Sequence, residues 1–308
     1  MKTTAFFTLA SMAQLATAHW KRLPQMLSNT TSAATNLTSI PTGFNTSTQK
    51  TGEYTRCASS PTDAQRRLLD DFSTPQYEET GRTDRVVEVY VHVVSTAAKR
   101  SRYNNDMIQN QMVVMNDAFA GTGFSFELVG FDITVQETWA KAAAGSSAET
   151  AMKKSLKRGN YRDLNLYFLS DLGDGLLGFC YFPTTNPSSQ MQILDGCINL
   201  ADSMPGGAAN NYNLGLTAVH EVGHWFGLYH VFEGANCNDA KGDRVGDTPR
   251  QLTPTTGCPA SKDSCPGIKG LDSINNYMDY SYDSCLFDFT AGQSRRMRAL
   301  FDSTRASW

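Results

Sequence analysis

Histidine is scarce in this chain, with five among 308 residues, and charge is almost balanced, 27 Lys and Arg against 30 Asp and Glu. That balance, with no basic cluster, leaves no electrostatic footprint for nucleic acid or an anionic membrane surface. Neither is expected as a partner. No apolar run approaches the roughly 20 residues needed to cross a bilayer. No internal repeat is present, which removes solenoids and propellers. Cysteine is too sparse, at seven residues, for a small disulfide scaffold, while the length and a 40% hydrophobic content allow a sizeable core.

The first residues read as an address rather than as fold. Lys2 is followed by the apolar run Ala5-Phe6-Phe7-Thr8-Leu9-Ala10 and then by Ala16-Thr17-Ala18, a small-x-small cleavage signal. Residues 1–18 are therefore expected to be a signal peptide of a secreted, extracellular protein. Sequons at Asn29, Asn36 and Asn45 lie in a Ser/Thr/Asn-rich tract that has too few apolar residues to pack. A composition shift near residue 82 divides a propeptide, 19–81, from a compact domain, 82–308. Gly81-Arg82 to Arg85 is one candidate for the maturation cut and Arg66-Arg67 is another.

Three of the scarce histidines fall in one window, His220-Glu221-Val222-Gly223-His224-Trp225-Phe226-Gly227-Leu228-Tyr229-His230. On a helix, His220 and His224 project from one face and can bind a single Zn²⁺, with Glu221 placed to act as general base. Gly227 can adopt φ > 0, end the helix and turn the chain so that His230 supplies a third ligand. Three protein ligands leave a fourth position for water, as in catalytic rather than structural zinc sites. The eleven-residue pattern arises by chance in about a few chains per million.

Periodicity predicts helices over 64–72, 105–119 and 147–158, the zinc helix from about Leu216 to Phe226, and a last helix opened by the capping box Thr290-Ala291-Gly292-Gln293. Strands are expected over 85–94, 124–135 and 164–169, with another extended segment over 191–200. His92, on the first strand, reads as a packed or edge histidine. Residues 233–289, rich in Gly, Pro, Asp and Cys, read as irregular and held by disulfides. Cys180, Cys197, Cys237, Cys258, Cys265 and Cys285 allow 15 pairings, among which spacing does not choose, and Cys57 stands apart upstream.

A methionine turn follows the zinc motif at Asn276-Tyr277-Met278-Asp279-Tyr280. With it the chain resembles the metzincin metalloproteases, and within them the pappalysin family, in particular the secreted extracellular metalloproteases of fungi. The likeness covers about residues 55–308. It rests also on Gly173-Asp174-Gly175-Leu176-Leu177-Gly178, on Asp247-Thr248-Pro249 and on Ser281-Tyr282-Asp283-Ser284-Cys285, while Val231 after the third ligand argues against the adamalysins, matrixins and astacins.

The resemblance implies an α/β (α+β) zincin fold, with a twisted mixed sheet and helices above the cleft and an irregular disulfide-rich C-terminal subdomain below. It implies Met278 as an apolar floor under the zinc and Tyr280 as a hydroxyl that stabilises the oxyanion. It also implies the disulfides Cys180–Cys197, Cys237–Cys265 and Cys258–Cys285. Cys57, in Arg56-Cys57-Ala58, is similar to the propeptide cysteine of pappalysin zymogens, with Ala58 where the family has glycine. A thiolate there would displace the catalytic water and keep the enzyme latent.

Some pappalysins carry structural calcium in the lower subdomain, which makes Asp239, Asp243 and Asp247 candidate Ca²⁺ ligands, against a solvated acidic loop. The expected activity is hydrolysis of protein or peptide substrates by Glu221-assisted attack of zinc-bound water, in a monomer. The segment after the methionine turn is expected to wall the pocket for the side chain that follows the cut. Asp283 would favour a basic residue there, while Tyr282 and Ser284 lie equally near, and broad specificity is the overall expectation. The rival reading is a catalytically weak secreted zinc-containing binding or adhesion protein. Intact Glu221 speaks against it.

Overall fold

The computed structural model describes residues 54–72, 84–239 and 241–308. The signal peptide, the three sequons and the 81/82 boundary lie outside the described residues. Among those described, no helix is long and apolar enough to cross a membrane.

One five-stranded mixed sheet organises the domain, in the order β2-β1-β3-β5-β4. Strand β1 (Arg85–Ser95) pairs in parallel with β2 (Phe124–Val135) and with β3 (Leu164–Leu169). Every residue of β3 is buried, as expected of an inner parallel strand covered on both faces. His92 is accordingly packed rather than at an edge. Its Nδ1 lies 2.7 Å from Asp132 and its Nε2 3.1 Å from Asn165, and its ring stacks on Tyr167.

The extended reading of 191–200 requires correction. It divides into a short helix, α4 (Ser189–Leu194), and strand β5 (Cys197–Leu200), parallel to β3. Ser188 caps α4 by accepting from the Met191 amide. Gly196 separates the two elements at φ 99°, where a Cβ would come within 2.4 Å of the Asn165 carbonyl oxygen. The apolar residues Met191, Ile193 and Leu194 fit either period over so short a run. Strand β4 (Gly178–Cys180) was not anticipated as an element. It is three residues long and runs antiparallel to β5.

Among the described residues five α-helices accompany α4: α1 (Asp63–Asp71), α2 (Asn105–Ala118), α3 (Ser147–Leu156), α5 (Leu216–Trp225) and α6 (Ala291–Thr304). Met107, Ile108, Met112 and Met115 of α2 join Val219 and Val222 of α5, Met297 and Phe301 of α6 and the inner residues of β1 in one apolar core. Thr62 and Thr290 each form a capping box, with Gln65 and Gln293 respectively. Beyond α5 the chain is irregular until α6 apart from a single turn at Asp283–Cys285. Its anchors are the disulfides Cys237–Cys265 and Cys258–Cys285, while Cys180–Cys197 ties β4 to β5.

Candidate active site

Every residue of α5 is buried, as in a helix that runs through a core. It ends in a Schellman turn, in which the Gly227 amide donates to His224 and the Leu228 amide to Gly223, with Gly227 at φ 93°. A Cβ on Gly227 would also come within 2.5 Å of Leu300 Cδ1. The turn brings His230 back towards the helix, with its Nε2 3.1 Å from that of His224. The Nε2 atoms of His224 and His220 are 3.2 Å apart.

The other ring nitrogens fix the tautomers. His220 Nδ1 donates to the Tyr277 carbonyl at 2.7 Å and His224 Nδ1 to the Leu228 carbonyl at 2.8 Å. Both Nε2 atoms therefore present lone pairs inward, an arrangement that is repulsive unless a cation sits among them. Burial lowers the pKa of His224 to about 4 and holds His220 and His230 well below the usual imidazole range, so the rings are neutral, as ligands must be. Cys57 Sγ and the three imidazoles lie within 4.8 Å of one another, and this is the one such group among the described residues. The donor set fits Zn²⁺.

Glu221, fully buried, faces the same centre. Its Oε2 accepts from Ser59 Oγ at 2.8 Å and from Cys57 Sγ at 3.4 Å. Burial raises its pKa to about 8, against the pull of the Ser59 and Cys57 hydrogen bonds and of Arg56. Burial, and then Glu221, push the Cys57 thiol well above its ordinary range. A divalent cation inverts that order by favouring thiolate.

Met278 is fully buried against α5 at Gly223, where a Cβ would come within 2.3 Å of its Sδ. Tyr280 Oη lies 3.2 Å from His230 Nε2 and donates to the Cys57 carbonyl at 3.4 Å. Its phenol is pushed well above the ordinary range, chiefly by burial.

The three loop aspartates accept hydrogen bonds from their surroundings. Asp239 accepts from the Lys241 amide, Asp243 from the Val245 amide and the Thr248 hydroxyl, and Asp247 from Thr290 and the Gly292 amide at the start of α6. Among the described residues they do not converge as a group of three His, Cys, Asp or Glu side chains.

Sequence reading overlooked how the segment around Cys57 is held. Thr55 pairs in parallel with Leu176, donating to Gly175 at 2.8 Å and accepting from Leu177 at 2.9 Å. The Ala58 amide donates to Gly178, and Ser59 Oγ accepts from the Cys180 amide at 2.8 Å. Gly178 also lets Glu221 lie against β4, because a Cβ there would meet Glu221 Cγ at 2.9 Å. Arg56 forms an ion pair with Asp283 at 2.8 Å, both side chains fully buried. Helix α1 adds Arg66–Glu233 and Asp70–Arg244, and Leu69 packs with Phe182, Tyr229 and Leu300. Adjacency of Arg56 to Cys57 was the one signal available in the sequence.

The protein-family model described as pregnancy-associated plasma protein-A, of the M43 peptidases, matches residues 149–302. An extracellular metalloprotease of Pyricularia oryzae is 51% identical over 222 residues, spanning 71% of this chain and 76% of the relative. The chain belongs to the pappalysin family. A second relative, an extracellular metalloprotease of Arthroderma benhamiae, is 46% identical over 240 residues, 77% of this chain and 79% of its own length. Mature mirolysin of Tannerella forsythia, solved with a cleaved peptide, superposes with a TM-score of 0.60 at 30% identity over 70% of this chain and 91% of that one. A promirolysin mutant gives 0.62 at 28% identity, over 78% and 86%. As a pappalysin with the metzincin fold, this protein is a zinc metalloendopeptidase.

Proposed function

We propose that this pappalysin is a secreted endopeptidase made as a zymogen, in which His220, His224 and His230 hold Zn²⁺ and Cys57 blocks the fourth position until the propeptide is removed. The observation that carries the reading is the convergence of three imidazole nitrogens and the Cys57 thiol on one point beside Glu221. Secretion is supported by the extracellular relatives and by the leader-like residues 1–18.

Zinc, when bound, supplies Lewis-acid polarisation and lowers the pKa of water towards 7. The side chains do the rest. Glu221 accepts the proton of the attacking water and returns it to the leaving amine. Burial favours the protonated form that Glu221 passes through, while the charge of a bound cation would favour the carboxylate from which the cycle starts. Tyr280 Oη, beside His230, donates to the oxyanion that develops on the scissile carbonyl. Met278 supplies a rigid apolar floor that excludes water beneath the ligands.

Asp283 is the seat for a basic side chain following the cut. A buried carboxylate requires a partner, and Arg56 is the partner that the latent chain provides. Release of the propeptide leaves that need to the substrate. The deciding experiment is casein hydrolysis before and after propeptide removal, with and without 1,10-phenanthroline. The expected result is activity that appears on processing, disappears with chelator and returns with Zn²⁺. A processed, zinc-loaded protein that cuts neither casein nor a peptide library would end the proposal.

A further inference from the structure

Tyr54 and Arg56 lie two residues apart in an extended segment whose middle residue, Thr55, carries the pairing to Gly175 and Leu177. Side chains at that spacing share a face of an extended chain. Arg56 thus reaches Asp283, and Tyr54 lands on the ring of Tyr212, with centroids 5.8 Å apart and planes at 78°. Tyr212 in turn meets Tyr282 at 5.5 Å and 90°. The Arg56 guanidinium carbon lies 5.2 Å from the same Tyr212 ring. One tyrosine therefore walls both the basic seat and its aromatic neighbour.

This wall is fixed by backbone bonds that do not involve residues 54–56. The Asp283 amide donates to Asn211, Asp283 Oδ2 accepts from the Leu214 amide, and the Tyr282 amide donates to Gly257. A site built this way is organised before a substrate arrives, so little is lost to ordering on binding. Edge-to-face ring geometry is the preferred mode for accepting a further aromatic ring.

We infer that Tyr212 and Tyr282 form a second specificity subsite beside Asp283, which takes an aromatic substrate side chain two residues beyond the basic one. The substrate class is an extended polypeptide with Arg or Lys directly after the cut and Tyr, Phe or Trp at the second position after that. The assignment rests on the proposed role of Asp283. Chain direction follows from the placement of Cys57: it meets the three histidines on the C-terminal side of Arg56, so a substrate whose basic residue follows the cut runs antiparallel to residues 54–57 and carries its residue two positions further on to Tyr212. Tyr54 occupies the subsite in the latent chain, as Arg56 occupies the basic seat.

The test uses the processed, zinc-loaded enzyme and four quenched fluorogenic peptides, combining Arg or Leu after the cut with Tyr or Ala two residues further on. Casein hydrolysis by the same preparation verifies that it is folded and loaded. The expected result is about a 3- to 10-fold higher kcat/KM for Tyr over Ala, the worth of one aromatic pair, expressed mainly in KM. In Tyr282→Leu and in Tyr212→Leu that ratio falls towards one. Because it is a ratio within one protein, partial misfolding cannot imitate it. Equal kcat/KM for Tyr and Ala, or a Tyr preference that survives in both variants, overturns the subsite. A preserved Tyr preference without any Arg preference overturns the role of Asp283 and leaves the aromatic subsite standing.

Discussion

The Ser59 hydroxyl donates to Glu221 Oε2 at 2.8 Å while accepting from the Cys180 amide at 2.8 Å. A single side chain thus holds both Glu221, the proposed general base, and the edge of β4. A hydrogen bond to a charged group contributes about 1.5–3 kcal/mol, so Ser59→Ala should loosen the grip of the propeptide about 10- to 100-fold. The readout is residual activity of the unprocessed chain relative to the same preparation after processing. An unchanged ratio would show that Cys57 and Arg56 maintain latency without Ser59.

Glu221→Gln keeps the shape of the side chain and removes its basicity. Zinc content should stay at one per chain while kcat falls by at least about 10²- to 10⁴-fold, the range for loss of a general base. The check is metal analysis beside casein turnover. Substantial peptidase activity in the variant would remove Glu221 from its role.

His224→Ala deletes the central imidazole, the one whose Nε2 lies within 3.2 Å of both others. Equilibrium dialysis should find the metal lost and activity abolished, with far-ultraviolet circular dichroism reporting the fold. Full zinc retention would contradict the ligand set.

Asp283→Asn removes the charge that meets Arg56 in the latent chain. The processed variant should lose most of its preference for Arg over Leu after the cut. A buried charge pair broken on one side costs about 3–5 kcal/mol, which sets the upper limit of the effect. An unaltered preference would place the basic seat elsewhere.

Asp195 holds the base of the zinc helix. Its carboxylate accepts two bonds from Arg305 at 2.9 Å and one from Trp225 Nε1 at 3.1 Å, and the Arg305 guanidinium lies 3.8 Å from the Trp225 ring centroid. Asp195→Ala leaves a buried guanidinium unpaired and should destabilise the domain by about 3–5 kcal/mol. Chemical denaturation with an unchanged midpoint would show that the pair contributes nothing to stability.

The long strands and helices were legible because their periods are local. The alternation of Val87, Val89, Val91 and Val93 and the spacing of Ile108, Met112 and Met115 state their own burial. The segment 191–200 misled because its short apolar runs carry no decisive period, and Gly196 is required by the Asn165 carbonyl, a contact from another strand. Strand β4 was hidden for a related reason. Gly178-Phe179-Cys180 has no strand signature beyond one aromatic residue, and pairing with β5 makes it a strand.

The zinc motif fixed its own geometry, since the i, i+4 spacing of His220 and His224 and the positive φ of Gly227 act within one helix and its turn. What only the tertiary structure decided lies between residues far apart in the chain. Cys57 meets Glu221 across 164 positions and Arg56 meets Asp283 across 227. No sequence period encodes such contacts. They exist because Thr55 joins the edge of the sheet, and because a buried charge and a buried carboxylate each need a partner when water is excluded.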